Sequence, residues 1–97
     1  MFRGEIKMKT NSVSDFIFNE TGIRISTHLQ SLIEHPEKLN KVRYSDLEKI
    51  VREFAPIYKK YRHVLDKPTQ WYPIIFFGLG LMLKLNNKPE LQKILES

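Results

Sequence analysis

An apolar stripe through the middle of the chain is the feature that most limits how it can fold. Apolar side chains recur there at alternating steps of three and four residues, the spacing of one face of an α-helix. They are Leu47, Ile50, Phe54, Ile57, Tyr61 and Val64. Because the stripe keeps its phase across Pro56, it predicts one long helix near residues 46–65 that is kinked at the proline. Ser45 and Glu48 have the spacing of a capping box and predict the start of this helix.

Shorter helices are predicted on the N-terminal side of the stripe. Residues 12–21 are typical of a helix, since Ser12 suits its N-cap and Gly22 suits a left-handed residue after its end. Ser26 is a candidate cap for a second helix, which Pro36 prevents from continuing.

The segment 71–83 contains no charged residue, and Lys84 follows it. A membrane-spanning helix needs about 20 apolar residues, and an interfacial helix needs a charged face, so no membrane partner is expected. We predict that the segment forms the central helix of a bundle, covered by neighbours on all sides. Gly78 and Gly80 each weaken a helix by up to about 1 kcal/mol, and we expect them to give room for another helix to approach. Pro89 suits the first turn of a last helix.

Together these segments predict an all-α fold, a small bundle of four to five helices. With 97 residues, the chain is expected to form a single helical domain over 1–97. Weak alternation of apolar residues over 2–8 suits a short extended N-terminal arm. The N-terminal residues lack the apolar core of a secretory signal, so we expect a protein of the cytoplasm.

The sequence offers little for catalysis or metal binding. The chain has no cysteine, which excludes a thiolate zinc site and a thiol nucleophile. His28, His35 and His63 are scattered, without the converging ligands that zinc requires. Helix ends and surface positions account for the carboxylates. We therefore expect a protein that is not an enzyme and that uses neither a metal nor a cofactor.

Positive charge is concentrated between residues 38 and 67, where nine basic residues stand against four acidic ones, while the rest of the chain has seven of each. The candidate basic surface in this segment is made of Lys59, Lys60 and Arg62. Cations neutralise phosphates and the interleaved tyrosines can stack on bases, so a small basic helical regulator that binds nucleic acid is the alternative function. The same distribution of charge is what a helix dipole favours without any ligand. Direct contact with DNA stays open.

A polar turn with a proline precedes the uncharged segment. The candidate partner-binding residues in and after this turn are Lys67, Pro68, Trp71 and Tyr72. Trp and Tyr dominate the energetics of protein interfaces, and the two isomers of a Lys-Pro bond differ by only about 0.5–1 kcal/mol, so a partner can select one. The alternative is that Trp71 and Tyr72 pack over the end of the bundle while Pro68 stiffens the turn.

The chain as a whole resembles a family of small phage proteins. Its length of 97 residues, its basic and cysteine-free composition and the segment Asp66-Lys67-Pro68-Thr69-Gln70-Trp71-Tyr72-Pro73 resemble the anti-RecBCD proteins of lambdoid Salmonella phages, in particular the second component. The resemblance implies binding to the host RecBCD helicase-nuclease, chiefly its RecC subunit, with a changed exonuclease activity and Chi response and no chemistry of its own. Linear phage DNA would then survive and feed phage recombination. The resemblance also implies a host peptidyl-prolyl isomerase as a partner, with Pro68 as the matching position.

Overall fold

The computed structural model describes residues 12–63 and 68–96, which form helices and contain no strand. The α-helices are α1 (Val13–Thr21), α2 (Thr27–Glu34), α3 (Tyr44–Tyr61), α4 (Tyr72–Lys84) and α5 (Pro89–Glu96). Two 3-10 helices, Pro36–Lys41 and Thr69–Trp71, lie before α3 and before α4. The all-α class is confirmed, but the described residues hold more helical elements than the predicted four to five, because of these two 3-10 helices. The extended arm predicted over 2–8 lies outside the described residues.

Local capping signals fix the ends of the first two α-helices. The Ser12 hydroxyl accepts a hydrogen bond from the Asp15 backbone N–H at 3.1 Å, and Gly22 ends α1 with a φ of 76°. That left-handed conformation favours glycine because it has no Cβ. The Ser26 hydroxyl accepts from the Leu29 N–H at 3.1 Å and begins α2. These caps confirm the sequence-based predictions.

A carboxylate from α3 holds the cap of α2. Glu53 accepts hydrogen bonds from the backbone N–H of Ser26 at 2.6 Å and from its hydroxyl at 2.9 Å. A carboxylate acceptor makes these bonds stronger than neutral ones. The two residues are 27 positions apart in sequence, so the contact fixes where α2 begins relative to α3.

The long helix α3 runs without interruption through Pro56 and confirms the prediction of one helix across the proline. Its bounds differ from the predicted 46–65, since it ends at Tyr61, and 64–67 are not described. The kink at Pro56 stays a prediction.

The predicted capping box at Ser45 is wrong. Arg43 occupies the N-cap position of α3 without a side-chain hydrogen bond, and the helix begins at Tyr44. The earlier start brings the Tyr44 hydroxyl to the Glu90 carboxylate at the beginning of α5, where it donates a hydrogen bond. This bond lowers the pKa of Glu90 and raises the pKa of Tyr44. The first turn of α3 thus has no side-chain cap and contacts α5 through this bond between exposed side chains.

The core lies where α3 meets the other helices. The apolar stripe of α3 is buried over its described length, and α5 packs along this helix. The Phe54 ring is fully buried and meets the Phe77 ring of α4 edge-on, with centroids 5.0 Å apart. Val64, the last residue of the predicted stripe, is not described.

The two glycines of α4 have different surroundings. A Cβ at Gly78 would overlap the hydroxyl oxygen of Tyr61, a buried side chain of α3. Gly78 therefore gives room to a close neighbour, as predicted. A Cβ at Gly80 would lie 3.8 Å from a methyl group of Leu39, which is ordinary van der Waals contact. Packing does not require glycine at position 80.

The prediction that α4 is covered on all sides is wrong. Its neighbours α2 and the two 3-10 helices pack against it, yet Phe76, Leu79 and Leu83 are exposed. Helices this short and this few in number cover one side of α4 and leave the other in water.

We expect Gly78→Ala to lower the free energy of unfolding by about 1–3 kcal/mol, because the added methyl overpacks the contact with Tyr61. Gly80→Ala is the matched control and should raise stability by up to about 1 kcal/mol, since alanine favours the helix. Adding Tyr61→Phe to Gly78→Ala removes the overlapping oxygen and should restore part of the loss. Thermal melting measures all three variants, and a Gly78→Ala protein that melts above the parent contradicts the packing described.

Candidate partner-binding surface

An exposed apolar face runs along α4. Its members follow one another at steps of four, three and four residues, and we call them the α4 face: Tyr72, Phe76, Leu79 and Leu83. Their exposed fractions are 58%, 64%, 61% and 78%. Large apolar side chains in contiguous exposed patches mark interaction sites, whereas single exposed ones need no explanation.

The opposite side of α4 belongs to the core. Ile74, Phe77 and Leu81 have no exposed surface and pack towards the rest of the bundle. The core therefore fixes the rotation of α4 about its axis and thereby turns the α4 face to solvent. Because residues 71–83 carry no charge, a partner that covers this face need not strip water from a charged group.

The proline turn leads directly into the α4 face. Pro68 is exposed, and its carbonyl accepts a hydrogen bond from the Trp71 N–H at 3.0 Å, which closes the 3-10 helix Thr69–Trp71. Tyr72 follows as the first residue of α4 and points its exposed side chain outward. Pro68 and Tyr72 are both exposed and stay candidate contact residues, four positions apart in sequence, whereas Lys67 lies outside the described residues.

Trp71 is buried and packs against the rings of other aromatic residues. Its side chain is 4% exposed, and its ring meets the Phe16 ring of α1 edge-on at 5.1 Å and the Tyr61 ring at 5.8 Å. Of the two interpretations open from the sequence, packing over the end of the bundle is the one that this geometry supports. Trp71 acts on the candidate surface indirectly, by holding the turn that carries Pro68 and Tyr72.

The predicted basic surface has its cations exposed, whereas the two nearest tyrosine rings in sequence, those of Tyr58 and Tyr61, are engaged within the protein. Lys59, Lys60 and Arg62 all lie in solvent. The Arg62 guanidinium donates to the carbonyl of Glu96 at 3.3 Å and covers the Tyr58 ring. Tyr61 is buried, and this burial raises its pKa. Neither of these two rings is therefore free to stack on a base beside Lys59 and Lys60.

Sequence reasoning missed Phe76, Leu79 and Leu83 as candidate contact residues. They lie in the uncharged segment 71–83, and a helix that is apolar on every side is typical of a core helix. Apolar character alone does not distinguish a residue that its own chain buries from one that stays exposed on the surface.

Other kinds of site find no support in the part of the chain that is described. Across 12–63 and 68–96, no three His, Asp or Glu side chains converge as metal ligands. Within the same ranges, each helix is too short or too polar to cross a bilayer.

No protein-family model, curated protein or solved structure matches this chain. The resemblance to anti-RecBCD proteins therefore stays a prediction from the sequence. We therefore infer the class of partner from the surface itself, whose exposed apolar residues are typical of contacts between proteins.

We expect Trp71→Ala to lower the free energy of unfolding by about 3–5 kcal/mol, because truncating a buried aromatic ring leaves a cavity. Tyr72→Ala, at the neighbouring exposed position, is the matched control and should change stability by no more than about 0.5 kcal/mol. Urea denaturation followed by circular dichroism measures both. Equal stability of Trp71→Ala and the parent would show that the indole is not part of the core.

Proposed function

We propose that this chain is a phage-encoded, non-enzymatic protein that binds the host RecBCD helicase-nuclease, chiefly its RecC subunit. Binding alters the exonuclease activity and Chi response of that enzyme, so that linear phage DNA survives in the host cytoplasm and enters phage recombination. The observation that carries the proposal is the exposed α4 face, which begins four residues after Pro68. This surface supports a protein partner, and the resemblance in sequence supplies the identity of that partner.

The energetics of the α4 face suit a stable complex. Full burial of a Leu or Phe side chain contributes about 1.5–3 kcal/mol, and micromolar binding requires about 8 kcal/mol. Phe76, Leu79 and Leu83 are 64%, 61% and 78% exposed, so they gain part of this burial energy when a partner covers them, and the cost of association offsets some of that gain. Because the face has no charge, the complex should keep most of its affinity as salt concentration rises.

The turn at Pro68 suits a second host partner. Its side chain is exposed and lies at the start of a 3-10 helix, where another protein can reach it. The host peptidyl-prolyl isomerase implied by the resemblance would contact this position. An uncatalysed X-Pro bond exchanges its isomers over tens to hundreds of seconds, so an isomerase bound there would speed the exchange.

Nucleic-acid binding is the competing function, and salt dependence distinguishes the two. A protein that neutralises phosphates releases counterions, so its affinity falls steeply with salt. Lys59 and Lys60 supply cations for such binding, but the rings of Tyr58 and Tyr61 are engaged within the protein. The α4 face would have no role in it.

We expect the double variant Phe76→Gln and Leu83→Gln to fold like the parent but to lose protection of linear duplex DNA against RecBCD. Both side chains are exposed, and glutamine is a good helix former, so the melting temperature should not fall. Phe18→Gln, on the half-exposed side of α1, is the control and should protect DNA like the parent. Full protection by the double variant would contradict the assignment of the α4 face.

We expect Pro68→Ala to melt like the parent, since the side chain is exposed, and to inhibit RecBCD less well. The assay compares digestion of linear DNA with and without a purified host prolyl isomerase. A difference between variant and parent that appears only with the isomerase assigns Pro68 to that contact. Equal inhibition in both conditions shows that the turn is only a connector.

A further inference from the structure

A groove on another side of the molecule combines an apolar floor with a basic rim. Its volume is about 460 Å³, and we call it the α3 groove. It is lined by Ile23, Arg52, Ala55, Pro56, Lys59, Lys60 and Ile94. None of these residues belongs to the α4 face or to the proline turn, so the groove is a separate surface.

Three parts of the chain build the α3 groove. One wall is the outer side of α3, where Arg52, Pro56 and Lys59 follow at steps of four and three residues. Ile23 comes from the connection between α1 and α2, and Ile94 comes from α5. Proline has no N–H, so its ring adds apolar surface to the floor without a backbone donor.

The charges at the rim are positive and largely uncompensated. Arg52 pairs with Glu48 at 2.8 Å, so one cation is partly neutralised. Within the described ranges, no carboxylate forms an ion pair with Lys59 or Lys60. The carboxylate of Glu53, on the same helix, is engaged by Ser26 instead. The rim therefore offers two exposed ammonium groups beside an apolar cavity.

We propose that the α3 groove binds an acidic amphipathic segment of a partner protein. One or two apolar side chains of the segment rest on the floor, and neighbouring carboxylates face Lys59 and Lys60. A nucleic-acid backbone matches the cations but offers no side chain for the apolar floor. A second copy of this chain would set one positive rim against another. The volume lies within the roughly 300–1,000 Å³ of sites that enclose small ligands, which suits a few side chains.

This inference goes beyond the proposed function, because it adds a second docking site on a different helix. A chain with two such surfaces can hold two proteins at once, one on the α4 face and one in the α3 groove. Variants of the α3 groove should leave binding at the α4 face unchanged, and the glutamine variants of α4 should leave binding in the groove unchanged. The two proposals can therefore fail independently.

The test is selection of a random dodecapeptide display library on the full-length protein, in buffer of moderate salt. Enriched peptides should share two or more Asp or Glu residues spaced three or four positions from a Leu, Ile or Phe. The affinity of a fluorescent copy of the best peptide is then measured by anisotropy. A lack of enrichment, or enriched peptides without acidic residues, overturns the proposal.

Two charge variants locate the binding. Lys59→Glu with Lys60→Glu should weaken the peptide by about tenfold or more, since two attractions become repulsions. Lys38→Glu with Lys41→Glu makes the same change of net charge on the 3-10 helix Pro36–Lys41 and should leave affinity within about twofold. Equal losses in the two variants would mean attraction by net charge alone and would overturn the proposal.

A floor variant and a DNA competitor complete the test. Ala55→Gln puts a polar amide over the floor and should weaken the peptide; because Ala55 also packs against the core, its melting temperature is measured alongside. A short duplex DNA should not displace the peptide at physiological salt. An unchanged affinity in Ala55→Gln would show that the floor takes no part in binding, and full displacement by DNA would assign the lysines to phosphate binding; either result overturns the proposal.

Discussion

A series of ring contacts at the end of α3 is the interaction on which the rest of the structure depends. Phe54 meets Phe77 of α4 at 5.0 Å, Tyr61 meets Trp71 at 5.8 Å, and Trp71 meets Phe16 of α1 at 5.1 Å. Three helices and the turn before α4 are joined through these rings. The first and the third of these contacts are edge-on, an arrangement that adds stabilisation beyond the area that is buried. Of these contacts, the one between Phe54 and Phe77 involves α4 itself, and together with the buried Ile74 and Leu81 it sets the rotation of α4 and thus the orientation of the candidate surface.

Much of the local structure could be predicted from the sequence because its causes are local. Ser12, Gly22 and Ser26 act on backbone groups within a few residues, and the stripe of α3 repeats with the period of the helix itself. The start of α3 could not be predicted in the same way. The helix begins at Tyr44 without a side-chain cap, and its first residue contacts Glu90, 46 positions away, which no pattern around Ser45 indicates.

The candidate surfaces were less predictable because they depend on which side of a helix its neighbours cover. Tyr72 and Pro68 stood out by residue type, and the structure leaves both exposed. Trp71 stood out for the same reason, yet its neighbours in space bury it. The α3 groove requires Ile23 and Ile94 to approach α3 from two distant segments, and no pattern along the chain indicates that approach.

The bare face of α4 also affects how the protein behaves before it meets a partner. Exposed apolar residues on one helix promote self-association, and the effect grows with concentration. The formal net charge of +5 opposes this by mutual repulsion between molecules, and salt screens that repulsion. The solubility of the free chain therefore depends on a balance between attraction through the uncharged face of α4 and repulsion between the net positive charges. A partner that covers α4 would remove the apolar surface that promotes self-association, so the chain should be more soluble in its complex than alone.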